Sequence, residues 1–245
     1  MDNIFITVGD QFLQQIIGIP MGTNCAPLLA NLYLFTFEWE YLKHLLATGS
    51  LDIAMTALDD CRYIDDVLFA DMEEVESHLY TTNQSIGLYP KEFLTLELTG
   101  SAIIPLRPTG AATTNPFSIN YMDLTITSDA KGIYTKIYDK RDHIPALANT
   151  LRFPHPTSRL STGCKFAVIT SQLYRYHTKC MRETDLIDST ATLLTRMITA
   201  GYSKTRVLQK ARAFSQVLNR HFGATTAQRW KRLCVAITRK VKANV

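Results

Sequence analysis

From Ser189 to Val245 the chain runs for 57 residues without an aspartate or glutamate while carrying 12 lysines and arginines. This stretch lies inside a longer change of pattern that begins near Asp139. Before Asp139, short apolar runs alternate with Gly, Pro, Asn and Asp, the spacing of strands and turns mixed with helices. After it, strand signals vanish. A polar, Pro-punctuated segment at 149–163 leads into helical segments expected at 164–180, 183–200, 204–220 and 225–241. A chain ordered this way is expected to be α+β: an antiparallel sheet with helices on one side, then an all-helical basic domain. The expected domains are 1–140 and 141–245, both within reach of a stable core.

The net charge of +4 conceals a polarity along the chain. Residues 1–125 hold 16 acids and 4 bases, and residues 126–245 hold 6 acids and 22 bases, so −12 and +16 sum to that +4. An acidic half joined to a basic half suits a protein that holds metal ions in one part and grips a polyanion with the other; asymmetry on solvated surfaces is the plainer reading. With 46% hydrophobic and 20% charged residues, the composition excludes a disordered or collagenous chain. Five widely spaced cysteines suggest neither a zinc site nor a disulfide framework, so a reducing compartment, nuclear or cytoplasmic, is expected. The N-terminus has no signal-peptide pattern, and the apolar run Leu28–Phe37 is too short to span a bilayer, so no membrane association is expected.

Residues 3–8 read as a strand turning at Gly9-Asp10, and 11–19 begin as a second short strand and end in a Gly/Pro-containing loop. Pro20 to Pro27 is a small-residue loop, with Pro27 well placed in the first turn of a helix that runs to about Leu46 and stops at Thr48-Gly49-Ser50. Residues 51–61 read as a loop, including a solvated Asp59-Asp60. Residues 72–85 read as an amphipathic helix and 93–98 as a half-buried strand. Residues 99–116 are expected to form an insertion. Two further strands, 119–127 and 132–138, are expected to turn at 128–131.

The chemical centre is Cys61–Asp71. Two short apolar stretches flank an acidic pair, the pattern of a β-hairpin turning at Asp65-Asp66. By alternation Ile64 points to the core. Adjacent carboxylates repel each other unless cations or hydrogen bonds compensate. Hard oxygen ligands on a rigid hairpin suit Mg²⁺, with Mn²⁺ as a substitute, and Mg²⁺ also binds substrate phosphates. Two such ions can activate an attacking hydroxyl and stabilise a leaving oxygen.

A small-residue loop and helix, Gly18–Tyr41, precede this hairpin by some forty residues, and the order resembles the palm of a reverse transcriptase. Gly18-Ile19-Pro20-Met21-Gly22 leading into an Asn-containing helix resembles that family's motif B. Arg62-Tyr63-Ile64-Asp65-Asp66 resembles its Tyr-x-Asp-Asp motif C. The downstream order is similar to the reverse transcriptases of Penelope-like retroelements, which are related to telomerase. The matching features are Gly87–Glu97, then Tyr121-Met122-Asp123-Leu124, then Asp139-Lys140-Arg141. His155-Pro156, Arg175 with Cys180, and Gly201-Tyr202 follow. The match covers roughly residues 3–220.

The resemblance implies an RNA-directed DNA polymerase with a partial palm and an α-helical thumb, using Mg²⁺, deoxynucleoside triphosphates and an RNA template with a DNA primer or RNA–DNA hybrid. Asp65 and Asp66 are its catalytic metal ligands. The loop Gly18, Pro20, Met21, Gly22 and Thr23 packs beside the incoming nucleotide and template base, where glycine lets the backbone approach closely. Gln15 faces the nucleic acid or is an ordinary surface residue. Asn31 supports the site or bonds locally. Tyr63 lies under the primer terminus or packs in the sheet. Arg62 pairs with a carboxylate or a phosphate. Lys91 stands for the lysine near the leaving pyrophosphate. Lys140, Arg141, Arg159, Lys165, Arg175 and Lys179 are the expected nucleic-acid contacts, joined by Lys204, Arg206, Lys210 and Arg212, and Asp123 is expected to orient a loop or hold the thumb.

The pattern departs from the family at one ligand. A two-metal polymerase uses another aspartate, from motif A, upstream of motif B, and Asp2 and Asp10 lie in the wrong place in the chain order. The expectation is therefore a C-terminal part of a reverse transcriptase, inactive without that aspartate and the fingers, and with apolar palm surface exposed. The alternative is a non-catalytic RNA or RNA–DNA binding protein derived from a retroelement.

Overall fold

The structure, a computed structural model, describes residues 5–70 apart from 17, 20, 21 and 23, residues 75–100 apart from 83, 84 and 93, residues 117–144 apart from 130 and 131, and residues 153–245. The chain divides into two compact units, Met1–Thr99 and Gly100–Val245.

In the first unit, β1 (Phe5–Val8) and β2 (Gln11–Gln14) form an antiparallel hairpin around Gly9-Asp10. Helix α1 (Ala26–Ala47) follows, with Pro27 in its first turn, where the missing amide hydrogen has no intrahelical partner to lose. Residues 51–58 depart from the expected loop and form helix α2 (Leu51–Leu58). Leu51, Ala54, Met55 and Leu58 repeat at helical spacing, and Ala54 is buried against Tyr41 and Leu45 of α1. Strands β3 (Cys61–Tyr63) and β4 (Asp66–Leu68) form the acidic hairpin. A short α3 (Val75–Leu79) runs into β5 (Tyr80–Thr81), which pairs in parallel with β6 (Tyr89–Pro90).

No strand forms at 94–98. The Leu96 amide donates instead to the Tyr80 hydroxyl at 2.6 Å, so a side chain takes the place of a neighbouring strand. The expected insertion falls mostly on 101–116, outside the described residues.

In the second unit, β7 (Phe117–Tyr121), β8 (Leu124–Asp129) and β9 (Gly132–Ile137) form one antiparallel sheet. The segment expected as a single strand at 119–127 is broken by a two-residue turn at Met122-Asp123, where Met122 has φ 54°. A 3₁₀ turn, Lys140–His143, precedes four helices: α4 (Thr162–Lys179), α5 (Glu183–Thr199), α6 (Lys204–Phe222) and α7 (Ala224–Asn244). Ser161 caps α4 by accepting from the Cys164 amide at 3.2 Å, and Glu183 and Asp185 lie in the first turn of α5, where the helix dipole favours them.

This sheet is in the same compact unit as the helices, the two units dividing between Thr99 and Gly100. The Met181 amide donates to the Thr135 carbonyl at 3.0 Å, and the Thr135 hydroxyl donates to the Lys179 carbonyl at 2.6 Å. Arg182 pairs with Asp129 and covers the Tyr134 ring at 3.7 Å. Arg175 pairs with Asp123. His155-Pro156 and Gly201-Tyr202, some 46 residues apart in sequence, meet in space. The Tyr202 hydroxyl donates to the Pro154 carbonyl, and its ring meets Phe166 edge-on at 5.5 Å.

Packing energy is unevenly divided. Twenty buried residues of the second unit form one core, centred on Ile169, Leu173, Leu194, Phe214 and Trp230. In the first unit the buried cluster is Tyr41, Leu45 and Ala54. Leu28, Leu32, Phe35 and Trp39 form an exposed stripe along α1, with Leu28 at 70%. Among the described residues the strands form four separate small sheets and not one palm-like sheet, and both edges of the β3–β4 hairpin are open.

Candidate active site

The acidic hairpin turns one residue earlier than its sequence pattern suggests. Tyr63 pairs with Asp66, so Ile64 and Asp65 make the turn and Asp66 begins β4. Ile64 has φ 56° and so sits in the turn instead of pointing inward along a strand. A positive φ at the first loop position suits a two-residue hairpin, where glycine is usual. For a β-branched residue that conformation costs about 1–3 kcal/mol and persists only where surroundings hold it. Asp65 and Asp66 are exposed, side by side in sequence at the hairpin's end, and Tyr63 is 55% exposed, so its ring is not packed inside the sheet.

Arg62 supplies the holding force. Its guanidinium pairs with both Glu38 oxygens, one of them at 3.2 Å. It also donates to Asn31 Oδ1 at 2.7 Å, to the Asn31 carbonyl at 3.3 Å and to the Ile64 carbonyl at 3.4 Å. The Tyr89 hydroxyl donates to Glu38 Oε1 at 2.8 Å. One planar fork thus ties α1 to the strand that carries the acidic pair, a task for which lysine has the wrong geometry. Arg62 and Glu38 side chains are 14% and 26% exposed, which places the pair largely out of water. The hydrogen bond to Glu38 raises the Arg62 pKa, and burial followed by the bond to Glu38 pushes the Tyr89 phenol up.

Glu38 and Tyr89 carry no motif signal. A compositional clue exists, since Arg62 is the one base between Lys43 and Lys91 in an acid-rich stretch and so needs an acidic partner.

Asp60 departs from the solvated reading. It is half-buried at the base of the hairpin and accepts from the Ala70 amide at 3.0 Å. Burial pushes its carboxyl up to about 6, with Asp59 adding to the shift and the Ala70 bond opposing it. Nearby, Tyr41 and His78 share a hydrogen bond of 2.8 Å, and burial, then Asp60, raise the Tyr41 phenol. A carboxyl whose folded pKa is raised stabilises the fold below its unfolded pKa, near 3.8, and that contribution is lost as pH rises through about 6. Asp60→Asn is therefore expected to raise the unfolding midpoint of this unit at pH 8 and to have little effect at pH 4. Urea titrations across that range measure the difference, and a pH-independent gap would contradict the assignment.

The remaining expected site residues fall as follows. Gly18 and Gly22 have φ 98° and 92°, the left-handed region that L side chains rarely adopt, and a Cβ added at Gly18 would come within 3.3 Å of Gln15 Nε2. Pro20, Met21 and Thr23 lie outside the described residues. Asn31 bonds across the fold to Arg62 and not locally. Lys91 is exposed, its Nζ 5.9 Å from the Tyr80 ring centre. Asp10 lies in the β1–β2 turn, and Asp2 lies outside the described residues.

In the second unit, Lys140, Arg159 and Lys179 are exposed. Arg141 pairs with Asp139 at 2.8 Å, and Arg175 with Asp123 at 2.6 Å, so Asp123 anchors α4 to the turn between β7 and β8. Lys165 is buried and donates to the carbonyls of Pro156 and Ser158, each at 2.6 Å. Burial also raises Tyr176, while Tyr174 is exposed beside His221 and Phe222.

None of the five cysteines is in a disulfide, and Cys25, Cys61 and Cys164 are exposed. Among the described residues no group of three or more His, Cys, Asp or Glu is placed to hold a metal ion, and no helix is long and apolar enough to cross a membrane. No protein-family model, no curated protein and no solved structure matches the chain.

Proposed function

We propose that this chain is palm and thumb of an RNA-directed DNA polymerase similar to the reverse transcriptases of Penelope-like retroelements. The observation that carries the reading is the Arg62 fork. It joins Asn31, in the helix resembling motif B, to the strand resembling motif C, the two segments on which the resemblance rests.

In this reading Asp65 and Asp66 hold Mg²⁺, and their exposed, adjacent oxygens are of the hard type that ion prefers. The bound ion supplies charge stabilisation for transfer of a nucleotide to a primer hydroxyl. The chain's own residues set geometry. Arg62 fixes the hairpin against α1, Tyr63 offers an exposed ring beside the acidic pair, and Gly18 and Gly22, without side chains, let the backbone approach a base. Two carboxylates are short of a two-metal set, so catalysis requires a third from another polypeptide segment. The open edges of the β3–β4 hairpin and the apolar stripe of α1 suit a strand-bearing segment of that kind.

Iron-directed cleavage tests the metal site without requiring turnover. With Fe²⁺ replacing Mg²⁺ in the presence of ascorbate and peroxide, backbone scission is expected at residues 63–67, with Mg²⁺ suppressing it. The Asp65→Asn, Asp66→Asn double variant should lose these cuts. Scission elsewhere, or cuts that persist in the double variant, would remove the metal assignment.

The second reading is a non-catalytic RNA or RNA–DNA binding protein, favoured by the acid-free helices α6 and α7. It predicts salt-sensitive hybrid binding and no metal-directed cleavage at the hairpin.

A further inference from the structure

The six cations of the C-terminal helix are spread over more than one face. Arg229 and Lys240 lie eleven residues apart, three helical turns, and so share a face, and both are paired, with Glu183 and Asp188 of α5. Lys231, Arg239 and Lys242 lie on the other side, exposed. Together with Arg212 of α6 they wall a groove of about 600 Å³ between α6 and α7. Buried Cys234 and exposed Val235 also line it, and Ser215 and Thr238 add hydroxyls. No carboxylate lines it, and neither helix contains one.

We propose that this groove binds one strand of nucleic acid through its phosphates. Four cations facing a concave channel without an acid create a positive potential that complements a phosphodiester chain. A groove of about 600 Å³ seats one phosphodiester backbone and cannot take in the full width of a duplex. From Lys231 to Lys242 the helix rises about 16 Å, enough to follow several nucleotides of a strand. The groove has no aromatic ring to stack on a base, so recognition is of the backbone and independent of sequence. A membrane surface is the poorer partner. The apolar side of α7, with Trp230, Ile237 and Val241, is buried in the bundle, which leaves Val235 as the one large apolar side chain the helix exposes, too little to enter lipid. Of these cations Arg212 is among the expected nucleic-acid contacts, whereas Lys231, Arg239 and Lys242 are not, and the inference rests on the nucleic-acid-binding reading of α6 and α7 and not on the polymerase chemistry.

The test uses the full chain, a fluorescent 12-residue oligouridylate and anisotropy across a salt series. If all four cations engage phosphates, the slope of log affinity against log salt should be about −2.8 from this groove alone. The Lys231→Glu, Arg239→Glu, Lys242→Glu variant should weaken binding at least tenfold at low salt, and the three Gln substitutions should weaken it less while lowering the slope by about 2. Circular dichroism of the helices checks that both variants remain folded. Unchanged binding in both groove variants would overturn the proposal. It would equally fall if an RNA duplex, polyaspartate or phosphatidylserine vesicles lost as much affinity as the single strand.

Discussion

Arg62→Ala is expected to destabilise the acidic hairpin by about 3 kcal/mol, the low end for removing one partner of a buried ion pair. The loss has two parts. Glu38 would keep its charge in a largely desolvated position, with the Tyr89 hydroxyl still donating to it. Asn31 and the Ile64 carbonyl would lose the donor that spans them. Ile64 would then hold a strained positive φ with less to enforce it. Hydrogen exchange at the amides of β3 and β4 is the direct measurement, because exchange reads local opening. Those amides should exchange roughly 100-fold faster, while the amides of α4–α7 stay unchanged. Arg62→Lys keeps the charge without the fork and should recover only part of the protection. Equal protection in all three proteins would mean that the hairpin is held by something else.

Trp230→Ala is expected to cost the helical unit about 3–5 kcal/mol. Trp230 is 1% exposed, meets Phe214 edge-on at 5.1 Å, and donates from its indole nitrogen to the Ala211 carbonyl at 2.9 Å. Truncation leaves a cavity between α6 and α7 and takes the indole donor from that buried carbonyl. For a unit of this size the melting midpoint should fall by roughly 10 °C, followed by far-ultraviolet circular dichroism. Trp230→Phe keeps most of the volume and gives up the hydrogen bond, so it should cost about 1 kcal/mol plus a smaller packing loss. If both substitutions cost the same, the hydrogen bond and not the ring volume would dominate this position.

Much of the local structure was legible. The four helices at the C-terminal end lie within a few residues of their expected limits, because long runs without Pro or Gly leave few alternatives. Pro27, Thr48 and Gly9-Asp10 mark a helix start, a helix end and a hairpin turn by their own backbone preferences. The misreadings share a cause. Helix α2 is short, and its periodicity is only four apolar positions long. The breaks at Ile64 and Met122 are invisible because neither residue favours positive φ, and tertiary contacts override that preference. The candidate site was legible as an acidic pair in a hairpin, but Glu38 and Tyr89 were not, since their roles depend on a fold that brings residues 31, 38, 62 and 89 together.

The acid-free stretch from Ser189 onward shows where the two sources of information divide. By itself the sequence determined that this stretch is basic and helical, because charge and periodicity are properties of single residues and short windows. Only the tertiary structure decided which cations are spent. Arg229 and Lys240 are neutralised by acids of α5, whereas Lys231, Arg239 and Lys242 line a groove with Arg212. A side chain's partner is set by which helix faces it, and that depends on packing across the core, beyond the reach of any local pattern.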